Sequence, residues 1–236
     1  MVAPTSPADV GATLKDNREE SLPPLLFVLT IVTGLVDAVS YLSLGHVFVA
    51  NMTGNVVFLG FAIAGAPEFS IAASLVAIAA FLLGALAGGR LGSRMAQQRS
   101  RFLTFAVVAK LGLVGVALLV SIALGDGELV RYGLIALLAL AMGLQNATAR
   151  VLAVPDLTTT VLTLTLTGLA ADSTLAGGTN PRVGRRLLAT GAMLSGAAVG
   201  AFLVLHMGIG AVLALTFTLL GFNAIAAYRV HSHPAA

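Results

Sequence analysis

Six stretches of this chain run for about twenty residues or more with almost no charge: 24–44, 69–91, 102–124, 131–150, 187–207 and 209–229. A helix needs about 20 mainly apolar residues to cross a hydrocarbon core ~30 Å thick. An all-α integral membrane protein is therefore expected. Composition agrees: 58% of the 236 residues are apolar and 10% are charged, against roughly 25% charged in soluble domains. A disordered chain would show the opposite balance. The absence of cysteine excludes a disulfide scaffold and a cysteine-ligated metal site.

Residues 1–21 carry Asp9, Lys15, Asp16, Arg18, Glu19 and Glu20 and no apolar run. They read as a disordered cytoplasmic tail and not as a signal peptide, because the first apolar stretch has the length of a span. Residues 22–229 form one transmembrane domain, and 230–236 a short tail. The net charge of +3 comes from arginines that flank apolar segments, so no nucleic-acid partner is expected.

Two further stretches, 45–66 and 153–171, are apolar but interrupted by polar residues. The distribution of Lys and Arg separates the possible topologies. If all eight segments span, the two sides carry seven and five basic residues. If only the six clean segments span, ten lie on one side, Arg131 alone lies on the other, and Lys110 and Arg150 stay at depth. The positive-inside bias favours six spans, with both termini cytoplasmic and two re-entrant or broken half-helix segments. Eight spans remain the alternative.

The halves resemble each other. Gly34-Leu35-Val36-Asp37-Ala38 matches Gly143-Leu144-Gln145-Asn146-Ala147. Asn51-Met52-Thr53-Gly54-Asn55-Val56 matches Asp156-Leu157-Thr158-Thr159-Thr160-Val161. Gly84 and Gly88 match Gly196 and Gly200 in the following spans. Three spans per half is an odd number, so repeats at 24–124 and 131–229 would be inverted, as in many transporters. Under eight spans they would be parallel. Chance matching among Ala/Gly/Leu-rich helices is the alternative explanation.

The run 34–55, "GLVDAVSYLSLGHVFVANMTGN", resembles the signature of the YoaK family of bacterial membrane proteins, a domain of unknown function. "GLQNATAR" followed by "TTTVLT" is similar to that family's second block, with Thr159 where the first repeat has a glycine. The resemblance covers nearly all of the chain after residue 20. It implies a multi-pass protein of the bacterial inner membrane and carries no activity with it.

Polar residues at membrane depth are the candidate site. Thr30, Thr33, Gly34, Asp37 and Tyr41 share one helical face. An ionisable group there costs several kcal/mol unless paired, protonated or wet. Asp37 is read as a coupling carboxylate or substrate contact, against a structural hydrogen bond. In the second half the matching face carries Gly143, Asn146 and Arg150, beside Gln145. Arg150 would hold an anion, pair with Asp156 or snorkel. Asn51, Thr53 and Asn55, like Thr158, Thr159 and Thr160, stand where half-helices would begin. Such N-termini suit an anionic or hydrogen-bonding solute, unless the two segments only cap each other. Lys110 is the candidate charge partner of Asp37, or snorkels. The Gly84/Gly88 and Gly196/Gly200 rows allow close helix packing, within the chain or in a homo-oligomer.

The glycosylation sequons at Asn51 and Asn146 fall inside apolar segments, and His231 with His233 reads as surface. No cofactor or metal set is expected. The leading reading is a transporter or channel for a small polar or anionic solute. A structural or accessory membrane protein comes second, and a membrane-embedded enzyme third.

The six-span count predicts that 92–101 and 172–186 are both cytoplasmic. Gln97→Cys and Thr179→Cys should each resist an impermeant thiol reagent in intact cells. Labelling of either from outside would overturn the topology.

Overall fold

A computed structural model describes residues 22–95, 98–153, 162–179 and 182–232. Among them the chain is all helical. Its helices are α1 (Leu22–Ser43), α2 (Met52–Ile63), α3 (Ile71–Arg94), α4 (Arg99–Ala123), α5 (Glu128–Leu152), α6 (Leu162–Ala171), α7 (Val183–Met207) and α8 (Ile209–Ser232). A short 3-10 turn, Thr174–Ala176, lies between α6 and α7. Six of the helices are long and apolar enough to cross a membrane, and they fall on the six clean segments of the sequence. The 12 residues of α2 and 10 of α6 rise about 18 and 15 Å, well short of the core thickness.

Local chemistry sets the ends. The Ser70 hydroxyl accepts from the Ala73 N–H and starts α3. Gly208, at φ 84°, is the single residue between α7 and α8. A side chain there would sit in a backbone region that L residues avoid.

Burial sorts the helices. The apolar windows of α1 and α5 are 72% and 67% buried, against 17–33% for the other four spans. Hence α1 and α5 form the interior, and the rest turn leucines such as Leu82, Leu86, Leu119 and Leu194 outward. An apolar outer surface is what a lipid solvent requires.

In lipid, helices gain little from burying leucine and associate through close packing of small residues. That packing is explicit here. A Cβ on Gly34 would run into the backbone of Met193, Gly196 and Ala197, and one on Gly196 into the Ile31 carbonyl. These contacts lock α1 to α7. A Cβ on Gly143 would meet the Phe81 carbonyl and the Ala85 N–H group, and one on Gly84 the Leu140 carbonyl. These lock α5 to α3. Gly88 packs against Ala147, and Gly200 against Ala38 and Leu35. Both glycine rows are therefore taken up inside the chain. Helix α4 packs on α5 and α8, α8 also on α1, while α2 lies on α3 and α6 on α7.

Gly143→Val should destabilise the detergent-purified protein by roughly 1–3 kcal/mol, the usual overpacking range, with a clear fall in its thermal midpoint. Gly112→Ala, where nothing lies within 4 Å of the added Cβ, should leave the midpoint unchanged. Equal midpoints for both would contradict the close packing of α3 on α5.

Candidate functional site

Asp37 sits on α1 six residues before its last residue, Ser43, and is buried. That is about 9 Å below the helix end. After Ser43 the chain turns back on itself. Gly45 and His46, both at positive φ (99° and 55°), make the reversal, and Val47, Val49 and Ala50 are buried beside α1. The returning strand reaches Asp37: the Ala50 N–H donates to Oδ1 at 3.1 Å, and the Val49 N–H also hydrogen-bonds the carboxylate. The partners of Asp37 are thus peptide groups of the loop that leads to α2.

A second side chain holds the same loop. Asn55, fully buried on α2, accepts from the Phe48 N–H at 2.8 Å and donates to the Phe48 carbonyl at 2.5 Å. One amide thereby satisfies both backbone groups of one residue, as a neighbouring strand would. The Phe48 ring covers Gly54 and stacks on Tyr41 at 5.2 Å between centroids. Tyr41 also meets His46 edge-on and Phe58 at 5.9 Å. It belongs to an aromatic cluster, not to a polar stripe. Asn51 precedes α2 without a side-chain capping bond, and both Asn51 and Thr53 are exposed. Of the five first-half candidates, only Asp37 and Asn55 reach the interior.

The second-half candidates divide similarly. Gln145 is buried in the C-terminal half of α5. Its Oε1 accepts from the Lys110 ammonium, and its Nε2 donates to Thr33 Oγ1 at 2.9 Å. The Thr33 hydroxyl passes its own proton to the Leu29 carbonyl at 2.9 Å. One chain of hydrogen bonds therefore joins α4, α5 and α1. Lys110 is 1% exposed and does not snorkel. It acts on Asp37 through space, but among the described residues no ion pair joins them. Asn146 is half-buried and donates to the Met142 carbonyl at 3.0 Å. Arg150 is exposed on the last turn of α5. Asp156, Thr158, Thr159 and Thr160 lie outside the described residues. The short helices α2 and α6 pack on different neighbours.

Three spaces accompany these groups. A cavity of about 10 Å³ is lined by Leu29, Leu103, Ala106, Lys110, Gln145 and Thr148, at the lower limit for one water molecule. An open recess of about 420 Å³ lies at the start of α5, with Ser43, Asp126, Glu128, Arg131 and Ile209 in its wall. Another, of about 340 Å³, lies at the other end of α5, between Met95, Arg99, Phe102, Val151, Leu152 and Ala153. There the Arg99 guanidinium donates to the Leu152 carbonyl.

Sequence reasoning passed over one buried cation. Arg186, grouped there with flanking arginines, pairs with Asp172 at 2.7 Å, donates to the Gly168 carbonyl at 2.5 Å and rests against Gly168. It pins the end of α6 to the start of α7. A glycine and an acid at such spacing form no recognisable motif. Among the described residues no group of three or more His, Cys, Asp or Glu could hold a metal.

The family model described as "Protein of unknown function (DUF1275)" matches residues 25–226. The UPF0700 transmembrane protein YoaK of Bacillus subtilis (strain 168) is 35% identical over 150 residues, which is 63% of this chain. The match spans 65% of that relative's length. No solved structure matches the chain. With the matched residues running from the first turn of α1 almost to the end of α8, the chain belongs to the DUF1275 family, that of YoaK, and is a multi-pass membrane protein.

Proposed function

We propose that this protein is a transporter for a small polar or anionic solute in the bacterial inner membrane, with both termini cytoplasmic and two inverted repeats. The observation that carries the reading is the Lys110–Gln145–Thr33 network, buried between recesses that open at opposite ends of α5. A buried polar site with a recess toward each end of the bundle is an arrangement that suits alternating access.

Support for the repeats comes from the cross-packing. Helix α1 of the first half packs on α7 of the second through Gly34 and Gly196, as α5 packs on α3 through Gly143 and Gly84. These are the glycines that the two halves share in sequence. Short helices, α2 and α6, follow the two inner helices in the same order. In this reading both are re-entrant, and the solute site belongs to α1, α4 and α5, because α2 and α6 pack on separate partners. The proposal is of solute movement without chemical turnover.

A second reading, a structural or accessory membrane protein, is favoured by Asn55 and Asp37, whose polar atoms are met by the protein's own loop. The experiment that separates the two concerns Asp37. Protonation of this carboxylate would weaken its hold on the Val49 and Ala50 amides, so proton binding and loop release would be linked. Asp37→Asn keeps an acceptor oxygen and cannot titrate. The variant should accumulate in the membrane at the wild-type level, and solute movement in proteoliposomes should no longer respond to a pH gradient. Anions and small polar metabolites have to be screened with the wild type first. Failure to accumulate would favour the structural reading. Unchanged pH dependence would move the coupling role away from Asp37.

A further inference from the structure

Lys110 and Asp37 are the two charged side chains of the α1–α4–α5 core, and they are treated differently. The Asp37 carboxylate receives peptide N–H groups from Val49 and Ala50. Hydrogen bonds of this kind to an anion are stronger than those between neutral groups. Lys110 has three N–H donors, and its hydrogen-bond partner is one neutral amide oxygen, on Gln145. That amide is oriented, because its nitrogen is committed to Thr33. The Lys110 side chain lines the small cavity together with Leu29, Leu103, Ala106, Val107, Gln145 and Thr148. The Thr148 hydroxyl is engaged with the Leu144 carbonyl at 2.8 Å. The cavity therefore sets a buried cation and one amide among otherwise apolar walls.

One recess lies close to the cavity. Phe102 and Leu152 line the recess beside Arg99, while Ala106 and Thr148, one helical turn further along α4 and α5, line the cavity. One turn is about 5.4 Å. Phe102, 1% exposed, lines the recess on that side. The Arg99 guanidinium at the mouth of this groove raises the local potential for an anion.

Resting on the transporter reading, we propose that the solute is a small monovalent anion, bound by the Lys110 ammonium in the α4–α5 cavity and admitted from the Arg99 recess when Phe102 moves. Small follows from the cavity, which holds about one water-sized body. Monovalent follows from the single cationic group in its wall. Arg99 lies eleven residues from Lys110 on α4, about 16 Å along the axis.

The test uses the purified full chain in detergent. Thermal midpoints are measured in sodium chloride and bromide, against sodium gluconate at equal ionic strength. The small anions should raise the midpoint in a saturable way, by roughly 5–10 °C near a hundredfold excess over the dissociation constant. Gluconate should not. Lys110→Met should abolish the response. If that variant does not fold, Ala106→Leu keeps the charge and fills the cavity, and should abolish it as well. Equal midpoints in all salts, or a response that survives in these variants, would overturn the site. Proteoliposome flux separates this from the parent reading. Anion stabilisation without flux would leave the site standing and remove transport. Flux of a neutral solute with no anion response would do the reverse.

Discussion

Inside a bilayer every peptide group that leaves a helix must find a partner within the protein, since lipid supplies none. The stretch 44–51 leaves the helix after α1, and buried side chains answer its peptide groups. Asp37 takes amides at one end of the stretch, and Asn55 takes both backbone groups of Phe48 near its middle. Each unmade bond there would cost several kcal/mol. With the bonds made, the chain can turn back beside α1 and begin α2 close to the level of Asp37. Two buried polar side chains are thus what lets the chain reverse after α1 and start α2.

The second constraint is the absence of a hydrophobic force between helices in lipid. Burying α1 and α5 requires contact closer than leucines permit, and four glycines bring backbone against backbone in two separate helix pairs. Since these pairs flank the two inner helices, the inner faces are left to meet α4 and α8. That is how Thr33 of α1, Gln145 of α5 and Lys110 of α4 come within hydrogen-bond range. Close packing at the periphery thus places a polar group in each wall of the core.

Much of this was readable from the residues alone. Span positions follow from hydropathy because length against membrane thickness leaves little choice. The glycine rows announce a flat face, and Gly84, Gly88, Gly196 and Gly200 lie on such faces. What the rows cannot announce is which helix fills them, because any small-residue face fits another. Lys110 was legible as deep, but its partner was not: an opposite charge, Asp37, is the natural expectation, and the structure supplies Gln145. Asp37 itself is served by Val49 and Ala50 through their backbones, and a peptide group leaves no mark in the choice of side chain. Asn51, Thr53 and Asn55 look alike in sequence. Asn55 alone is turned inward, four residues beyond Asn51 on a helix whose other face is exposed. Tyr41 was drawn into the polar stripe by spacing, while its ring goes to Phe48 and Phe58.

The two core charges are each met by neutral dipoles instead of by one another, and this shapes what the bundle can do. A direct ion pair would tie α1 to α4, and breaking it would expose two charges at once. Here Asp37 is linked to the 44–51 segment, and Lys110 to α5 and, through Gln145, to Thr33. Thr33 and Asp37 are four residues apart, so they share one face of α1. The two sets of hydrogen bonds therefore meet on one face of a helix that packs against α7 at Gly34.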